Sequence, residues 1–481
     1  MTQTDFYAIL PIIAILLWAL LLLVADLWIP KERKSMTALL AAVGLAVGVG
    51  LSLSQVGQTA LTFKGMLMLD NFAVFLNIIF LVSGMLAIAL SYDYLKRMGI
   101  ERGEYYVLLM FSIAGMMLLS QAYNLIVVFL AIEFLSIPLY ILAGFARPRL
   151  ESEEAALKYF LLGTFSSGFL LYGIALIFGA TKSTGLEGIM ASLSANEANL
   201  VLFIAGAALM LVGFGFKVAV APFHEWAPDV YQGSPTPASA FMAVSVKAAG
   251  FAVLLRIFLT AFPTLAQQLM PVAWGVAALT MLVGNVLAIN QINLKRLLAY
   301  SSIAHAGYLM MAFVSASNPA HTGQAVSAML YYLVAYGLTT FGAWAVVVSL
   351  EQAEGKGLEL EDYAGVGQKY PWLGVAMLVF MLSLSGIPLT IGFWGKFFLF
   401  RTTVEAGFTS LALVGLFTSL VSVFYYLRVV VYMFMRPGEP RVRRDGWLSL
   451  VAVGAAVAVV LLSVLPSRLL DMAAQAVLRL Q

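Results

Sequence analysis

The chain contains no cysteine and only three histidines among its 481 residues. The absence of cysteine excludes disulfides, thiolate-held iron–sulfur clusters and cysteine nucleophiles. The three histidines, His224, His305 and His321, are too few and too scattered for a haem pair or a metal cage. Charged residues make up 11% of the chain, against about 25% in soluble domains, and no basic cluster is typical of a nucleic-acid-binding face. The composition therefore indicates no redox cofactor in this chain and no nucleic-acid partner.

The sequence is rich in hydrophobic residues and in long apolar runs. The chain is 62% hydrophobic, and apolar runs of the length that crosses a bilayer recur from end to end. The sequence therefore predicts an all-α polytopic membrane protein. The first run, residues 6–29, follows a short start that lacks the basic region of a cleavable signal. We expect this run to be retained as a span.

The hydropathy pattern predicts about fourteen transmembrane helices. The segment 59–69 is too short to cross and is typical of a surface strand or hairpin, and the tail 467–481 has the pattern of an amphipathic surface helix. The predicted spans are 6–29, 36–54, 71–92, 105–120, 123–145, 157–180, 198–221, 238–261, 267–289, 297–316, 323–350, 372–400, 407–435 and 446–465.

The positive charges fall mainly on one side of this arrangement. Of the 27 lysines and arginines, sixteen lie in odd-numbered loops, five in even-numbered loops or the tail, and six inside spans. The sixteen include Lys31, Lys295 and Arg444, and the five include Arg479. Since lysine and arginine concentrate in cytoplasmic loops, we expect the odd-numbered loops to be cytoplasmic and both termini to lie on the non-cytoplasmic side.

Two of the predicted spans carry signs of interruption. Residues 213–222 and 385–396 each combine glycine, proline and one lysine in an apolar run, and proline removes a helical hydrogen bond. Their lysines, Lys217 and Lys396, are 179 positions apart. Matching interrupted helices are typical of transporters built from inverted repeats.

A second pair of residues fits nearly the same offset, because Glu133 and His305 are 172 positions apart. Both offsets equal five spans, an odd number, so the matching helices would have opposite orientations in the membrane. We infer an inverted repeat of spans 4–8 and 9–13, each with a broken helix, and four units: 1–104, 105–262, 263–436 and 437–481. Coincidence is the alternative, because glycine and proline are common in membrane helices.

Ionisable side chains inside spans are the candidates for function. A charge at the bilayer centre costs roughly 3 kcal/mol on insertion scales. Glu133, the only acid clearly inside a span, can pair with Lys217 or store a proton itself. Lys217 and Lys396 lie at breaks that leave room for water, and a desolvated ammonium loses its proton readily. The alternatives are a static ion pair for Glu133 and snorkelling of the lysines to the headgroups.

Lys247 and His305 are two further candidates. Lys247 lies in the middle of an apolar span beside small residues and would connect Lys217 to the second half. Its alternative is a buried contact with a carbonyl or hydroxyl group. His305 lies on a polar stripe with Ser301 and Ser302, and an imidazole relays protons near neutral pH. A neutral core histidine is the alternative.

Two residues are possible proton-entry or accessory positions. His224 follows Pro222 near the end of the seventh span and can either feed protons inward or cap a helix. Lys158 lies near the start of the sixth span and is expected to snorkel, unless it faces Glu133 or Lys217.

Four motifs carry a family resemblance, and none of them is of low complexity. They are FKVAVAPFHEWAPDVY at 216–231, SPTP at 234–237, NLKRLLAYSSIAH at 293–305 and GIPLTIGFWGKF at 386–397. Over nearly its whole length the chain resembles the antiporter-like subunits of respiratory complex I, NADH:quinone oxidoreductase, and among them subunit N. The lysine at 396 supports this group, because subunit M typically has glutamate there. Subunit L resembles the chain less and adds a long lateral helix.

The resemblance implies a role for each candidate. Glu133 and Lys217 correspond to the paired glutamate and lysine of the first half-channel, Lys247 to the connecting lysine and Lys396 to the lysine of the second half. His305 occupies the central relay region, where the match is looser. The implied activity is proton translocation coupled to quinone reduction elsewhere in the complex.

The resemblance also implies surroundings and partners. The chain would lie in the plasma (inner) membrane of a prokaryote, in contact with the lipid bilayer and with other antiporter-like and small membrane subunits. It would hold no cofactor itself, and NADH, FMN, iron–sulfur clusters and quinone would bind in partner subunits.

Three other functions stay open on the sequence alone. The same repeat occurs in subunits of multi-subunit Na⁺/H⁺ antiporters, and proton-pumping subunits of membrane-bound hydrogenase-type complexes are a second alternative. A membrane scaffold with static ion pairs is the third. Sodium-dependent transport would favour the antiporter subunit, and the neighbouring genes would identify a hydrogenase-type complex. A scaffold predicts that charge-neutral substitutions alter assembly but not turnover.

Overall fold

The computed structural model describes residues 2–30, 33–443 and 445–478, with all of their side chains except those of 263–268 and 354. Lys31, Arg444 and Arg479, which contribute to the predicted charge bias, lie outside the described residues. So do the last three residues of the predicted tail helix.

The described residues are mainly helical, and thirteen helices are long and apolar enough to cross a membrane. The remaining predicted span, 372–400, the twelfth in chain order, consists of a shorter apolar helix, Pro371–Ser385, followed by a break and a second helix, Ile391–Glu405. The predicted all-α polytopic membrane class is therefore confirmed.

Three helices and a hairpin form the N-terminal part. The helices are α1 Gln3–Asp26, α2 Ser35–Leu53 and α3 Asn71–Arg97. Strands β1 Ala60–Thr62 and β2 Leu67–Leu69 pair antiparallel across a short 3₁₀ turn. The hairpin predicted for 59–69 is thus confirmed, and the carboxylate of Asp5 holds it to α1 by accepting a 2.7 Å hydrogen bond from the Phe63 amide.

The next five crossings include the first broken helix. Between the third and fourth of them, α7 is a short helix outside the spans. The helices are α4 Glu104–Gln121, α5 Leu125–Ala143, α6 Leu150–Thr181, α7 Leu186–Ser194, α8 Leu200–Val218, α9 Trp226–Gly233, α10 Thr236–Phe241 and α11 Lys247–Ala261. A π-helical turn, Met242–Val246, joins α10 to α11.

The second set of five crossings includes the second broken helix. Its helices are α12 Pro263–Ile289, α13 Leu294–Ser315, α14 Thr322–Leu350, α15 Val366–Lys369, α16 Pro371–Ser385, α17 Ile391–Glu405 and α18 Thr409–Met435. Two short 3₁₀ turns, Ala353–Gly355 and Leu360–Tyr363, follow α14.

The chain closes with α19 Gly446–Val464, which spans, and α20 Pro466–Gln475, which does not. Along α20, the charged Arg468 and Asp471 are exposed, whereas Leu469 and Leu470 are half-buried and Ala473 is buried. The predicted amphipathic surface helix is therefore confirmed over the part of the tail that the structure describes.

Burial divides the spans into central and peripheral ones. The most apolar 18-residue stretch of the crossing Thr236–Ala261 is 100% buried, and those of α13 and α14 are 94% and 89% buried. The corresponding value is 33% for α1. Lys247 and His305 therefore lie on helices that protein surrounds, where a charged or polar side chain must find its partners within the protein.

Candidate functional site

The first broken helix ends directly after Lys217. Glycines at 213 and 215 weaken the last turns of α8. Ala219 then adopts the left-handed conformation with φ +55°, and Pro222 lacks the amide that would continue the helix. Lys217 is one residue from the end of α8 and only 5% exposed. The break therefore opens beside a buried ammonium group.

The partners of Lys217 are oxygen atoms without charge and aromatic rings. Its Nζ donates to Ser136 Oγ at 2.7 Å and approaches the Tyr140 hydroxyl at 3.5 Å. The same Nζ lies 5.5 Å from the ring centre of Tyr140 and 6.0 Å from that of Tyr159, within the range of cation–π attraction. Both kinds of contact stabilise a buried cation less than a carboxylate would.

Glu133 and Lys217 do not form a direct ion pair, because no nitrogen–oxygen distance of 4.0 Å or less joins them. Glu133 is half-buried on α5 and accepts a hydrogen bond from the Ser167 hydroxyl of α6. Ser136, about one turn further along α5, takes the contact with Lys217. The two charges are therefore neighbours separated by a serine.

A π-helical turn comes directly before Lys247. Such turns are rare in helices and often occur at functional sites. Lys247 is 2% exposed, and its Nζ donates to the carbonyl oxygen of Ser302 on α13. The buried carbonyl contact left open by the sequence is thus the one that forms. It joins α11 to the polar face of α13 three residues before His305.

His305 lies between two tyrosine hydroxyls. Its Nδ1 contacts the Tyr332 hydroxyl of α14, and its Nε2 lies 3.0 Å from the Tyr426 hydroxyl of α18. The Tyr426 hydroxyl also contacts Ser301. Both ring nitrogens of a 3% exposed histidine are therefore occupied by hydroxyl groups, which accept or donate protons as the tautomer requires.

Lys396 lies after its break, in the second half-helix α17. Its Nζ donates to the Ser385 carbonyl at 3.1 Å and to Ser419 Oγ at 2.8 Å. Ser385 is the last residue of α16, so the ammonium lies at the helix end where unpaired carbonyls favour positive charge. The Tyr308 ring centre is 4.8 Å from the same Nζ.

With this geometry in view, the chain can be compared with known proteins. A family model described as "NADH:quinone oxidoreductase/Mrp antiporter, TM" matches residues 122–422. NADH-quinone oxidoreductase subunit N of Chloroflexus aggregans is 47% identical over 469 residues, which cover 96% of this chain and 95% of the relative. This chain belongs to the NADH-quinone oxidoreductase subunit N family.

Two solved structures show similar folds. A chain of respiratory complex I from Thermus thermophilus, with bound aureothin, is 36% identical and has a TM-score of 0.82, covering 96% of this chain and 99% of its own. A chain of the Mrp complex from Dietzia has a TM-score of 0.87 at 20% identity, covering 100% and 98%. At that identity the second likeness shows the fold alone.

Within this chain, the candidates of the second half are close neighbours. Lys247 bonds to Ser302, His305 lies one turn away, and Tyr308, which packs edge-on against His305 at 5.6 Å between ring centres, covers Lys396. Asn285 extends the network, because it donates to the Tyr308 hydroxyl at 3.3 Å. Hydrogen bonds and ring contacts together therefore place these groups side by side.

Lys217 is linked to this set less directly. A cavity of about 10 Å³ lies between Lys217 and Val246, the last residue of the π-helical turn. Gly250 and Phe214 also line it. This volume is near the lower limit for one water molecule. No hydrogen bond joins the described side chains of Lys217 and Lys247. The first half and the central set therefore meet at a narrow, largely apolar point.

The two accessory residues lie on the side of the odd-numbered loops. His224 is half-buried between α8 and α9, and its Nδ1 is buried without a hydrogen-bond partner. Lys158 forms ion pairs with Glu154 and Asp229, both at 2.7 Å. The Lys158 side chain is thus 41% exposed, its charge is balanced by these carboxylates, and none of its ion pairs involves Glu133 or Lys217.

The sequence analysis did not single out several other buried charges of the described residues, among them Lys295, Arg256 and Glu351. Lys295, counted there as a loop residue, is 2% exposed in α13. Arg256 of α11 is 1% exposed and forms a two-pronged ion pair with Asp70 at 2.8 and 2.9 Å. Glu351, just beyond α14, is 2% exposed. The position of Arg256 inside an apolar run was a visible signal, whereas Lys295 and Glu351 lie at span ends.

Proposed function

We propose that this chain conducts protons across the membrane as subunit N of a proton-pumping NADH-quinone oxidoreductase, together with the other membrane subunits of that complex. Relatives named as this subunit match it at 40–47% identity, mostly over nearly their full length. The chain would thus be part of a translocase in the plasma membrane, and quinone reduction elsewhere in the complex would supply the energy.

The observation that carries this proposal is the burial of four proton-accepting groups in the spans. Lys217, Lys247, His305 and Lys396 are exposed by 5%, 2%, 3% and 4%. Each of the four contacts at least one serine oxygen or tyrosine hydroxyl. A fixed cation in the bilayer is costly, whereas groups that gain and lose a proton in turn are charged for only part of a cycle.

Glu133 is the proposed input of the first half. Ser136, which binds Lys217, lies about one turn from Glu133 on α5, and the two charges are more than 4.0 Å apart. For comparison, two unit charges about 8 Å apart attract by about 2 kcal/mol at an effective dielectric constant of 20. Neutralising or displacing the Glu133 charge therefore weakens the hold of Lys217 on its proton. That proton would pass to Lys247 through the narrow point beside Val246.

The second half would carry the proton onward. From Lys247 the route runs along Ser302 to His305, whose tyrosine partners lead towards Tyr308 and Lys396. Lys396 would release the proton to the non-cytoplasmic side. His224 and Lys158 would act on the entry side, where Lys158 meets the carboxylates of Glu154 and Asp229.

The proposal extends to the division of the chain and its orientation. Residues 105–262 and 263–436 would form the two half-channels, flanked by 1–104 and 437–481, with both termini on the non-cytoplasmic side. NADH, FMN, iron–sulfur clusters and quinone would bind in partner subunits. The lack of cysteine supports placing the clusters there.

Replacement of Lys396 tests the function in the complete, reconstituted complex. In proteoliposomes, Lys396→Ala should retain NADH oxidation with quinone but yield fewer protons per NADH. Lys369→Ala is the control, since Lys369 is a surface lysine paired with Glu439. A normal proton yield in Lys396→Ala at full quinone reductase activity would refute the scheme. Sodium-dependent transport without redox activity would favour the Na⁺/H⁺ antiporter instead.

A further inference from the structure

A second group of buried charges lies apart from Lys217, Lys247 and Lys396. Glu351, just after α14, and Lys295, in the first turn of α13, are each 2% exposed. Neither is within 4.0 Å of an oppositely charged group among the described side chains. Since burying an ionised group without a close partner is strongly unfavourable, this pair needs a reason beyond packing.

The two groups flank one short segment of backbone. Glu351 accepts hydrogen bonds from the hydroxyls of Tyr94, at 3.2 Å, and Thr236. Lys295 Nζ donates to the carbonyl of Ser234 at 2.7 Å. Because two residues span at most about 7 Å, the contacts at Ser234 and Thr236 place the carboxylate and the ammonium near each other without touching.

A cleft of about 340 Å³ lies close to this pair without exposing it. Its lining includes Arg149, Asp229, Gly233 and Asn293, all on the side of the odd-numbered loops. Gly233 directly precedes Ser234, and Asn293 lies two residues before Lys295. Residues that line the cleft are therefore one or two positions in the sequence from Ser234 and Lys295, which form the hydrogen bond.

The remaining groups around Glu351 are neutral hydroxyls that can pass a proton. The Tyr363 hydroxyl is buried and without a partner. Burial raises the pKa of Tyr363 well above its ordinary value, and the nearby Glu351 carboxylate raises it further. The other groups near the carboxylate are Tyr94 from α3, Thr236 from α10 and Lys295 from α13, and the charge of Arg149 acts on Tyr94 and Lys295 as well.

A stripe of polar groups leads from Glu351 inward along α14. Trp344, Thr340, Tyr336 and Tyr332 follow one another at four-residue intervals, so they share one helix face. The indole nitrogen of Trp344 is buried without a partner. The Tyr336 hydroxyl lies near the hydroxyls of Thr340 and of Ser302 in α13, neither of which has a hydrogen-bond partner, and Tyr332 contacts His305. The stripe therefore ends at the central relay.

We propose that Glu351, with Lys295 beside it, is a proton-loading site that supplies His305 from this cleft without passing through Lys217. A proton leaves water in the cleft and forms an O–H bond with the carboxylate. Because the Trp344 indole can donate but cannot accept a proton, release runs through water past Trp344 to the hydroxyls of Thr340, Tyr336 and Tyr332. This release restores the carboxylate, whose ionised form the Lys295 charge stabilises between transfers. This role rests on the proposed proton translocation and adds a second entry to it.

Glu351→Gln tests the site in the complete complex reconstituted into proteoliposomes. Glutamine keeps one oxygen as an acceptor for one of the Tyr94 and Thr236 hydroxyls, and its NH₂ group can donate to the other, but it cannot carry the proton. We expect the complex to assemble and oxidise NADH with quinone while its proton yield per NADH falls. Glu351→Asp should restore the yield. Glu361→Gln is the matched control, since Glu361 is an exposed carboxylate of the same loop paired with Arg436.

A normal proton yield in Glu351→Gln would overturn the inference. Lys217→Ala in the same assay separates the two levels: if it lowers the yield while Glu351→Gln does not, only the second entry is wrong. If neither lowers the yield, the proposed function fails as well. Should Glu351→Gln not assemble, Thr340→Val decides, because it removes one hydroxyl of the stripe at nearly constant volume. A normal yield there would likewise overturn the inference.

Discussion

Three lysines in the spans share one residue-scale property, which is that none of them contacts a carboxylate. Lys217 bonds to a serine hydroxyl, Lys247 to a backbone carbonyl and Lys396 to both kinds of oxygen. A carboxylate partner would hold the ammonium in its charged form. Uncharged oxygens stabilise it less, so a modest change in the surroundings is enough to move its proton. This choice of partner suits a relay better than a structural ion pair.

The tyrosine partners of His305 allow a sharp test at the same scale. Tyr332→Phe removes the hydroxyl that contacts Nδ1 and leaves the ring, so we expect several-fold slower proton pumping in an intact complex. Tyr331→Phe is the matched control, because the neighbouring Tyr331 hydroxyl is buried without a partner. The rate of fluorescence quenching by a pH-sensitive dye measures both. Equal pumping in the two variants would contradict a relay through Tyr332.

At the scale of elements, the two broken helices place their lysines differently. Lys217 comes just before its break, at the end of α8, whereas Lys396 comes after its break, in α17. The result is nevertheless similar, because each break frees backbone groups near one buried ammonium. In the second half the break and the lysine are in direct contact, since the Lys396 ammonium binds the carbonyl of Ser385, the last residue of α16.

Gly386 is the residue on which the second break depends most. It ends α16 with φ +82°, and an added Cβ would lie 2.7 Å from Cδ of Lys396. We expect Gly386→Ala to destabilise the subunit by about 1–2 kcal/mol from backbone strain alone and to displace Lys396. Gly454→Ala in α19 is the control, because nothing lies within 4 Å of its position. Thermal denaturation and proton yield of the purified complex measure the two effects, and equal behaviour of both variants would refute this account.

These elements also show what the sequence can and cannot predict. The breaks follow from glycine and proline within apolar runs, and Lys217 or Lys396 is visible because a charge there is unusual. Lys295 lies next to a loop, and only the packing of α13 against its neighbours shows that it is buried. The π-helical turn before Lys247 and the tyrosines around His305 depend likewise on contacts between distant segments. Local sequence patterns do not predict contacts between residues that are far apart in the sequence.

At the scale of the whole molecule, one buried ion pair ties the N-terminal helices to the first half-channel. Asp70 caps α3 by accepting from the Ala73 amide at 2.8 Å, and the same carboxylate binds Arg256 of α11 with both oxygens. Arg256 is 1% exposed. The pair thus fixes the start of α3 against the helix that carries Lys247.

Breaking this pair should impair assembly more than transport. Replacing one partner leaves a buried charge uncompensated, which costs about 3–5 kcal/mol, so Asp70→Asn should lower the amount of assembled complex. The double variant Asp70→Leu with Arg256→Met should recover much of it, because no buried charge then remains. Native gel electrophoresis of solubilised membranes measures assembly. A single variant that assembles as well as the unchanged protein would show that the pair contributes little.

The orientation of the whole chain decides which way the proposed relay runs, and the absence of cysteine makes it directly measurable. Gln58 and Arg102 are exposed and lie in the second and third loops, which the charge bias places on opposite sides. In right-side-out vesicles, a membrane-impermeant maleimide should label Gln58→Cys but not Arg102→Cys, and inside-out vesicles should reverse the result. The unchanged protein is the control, since it has no thiol to react. Labelling of Arg102→Cys from outside would show that the chain has the opposite orientation in the membrane. The cleft beside Lys295 would then face outward, and the proposed second entry would become an exit.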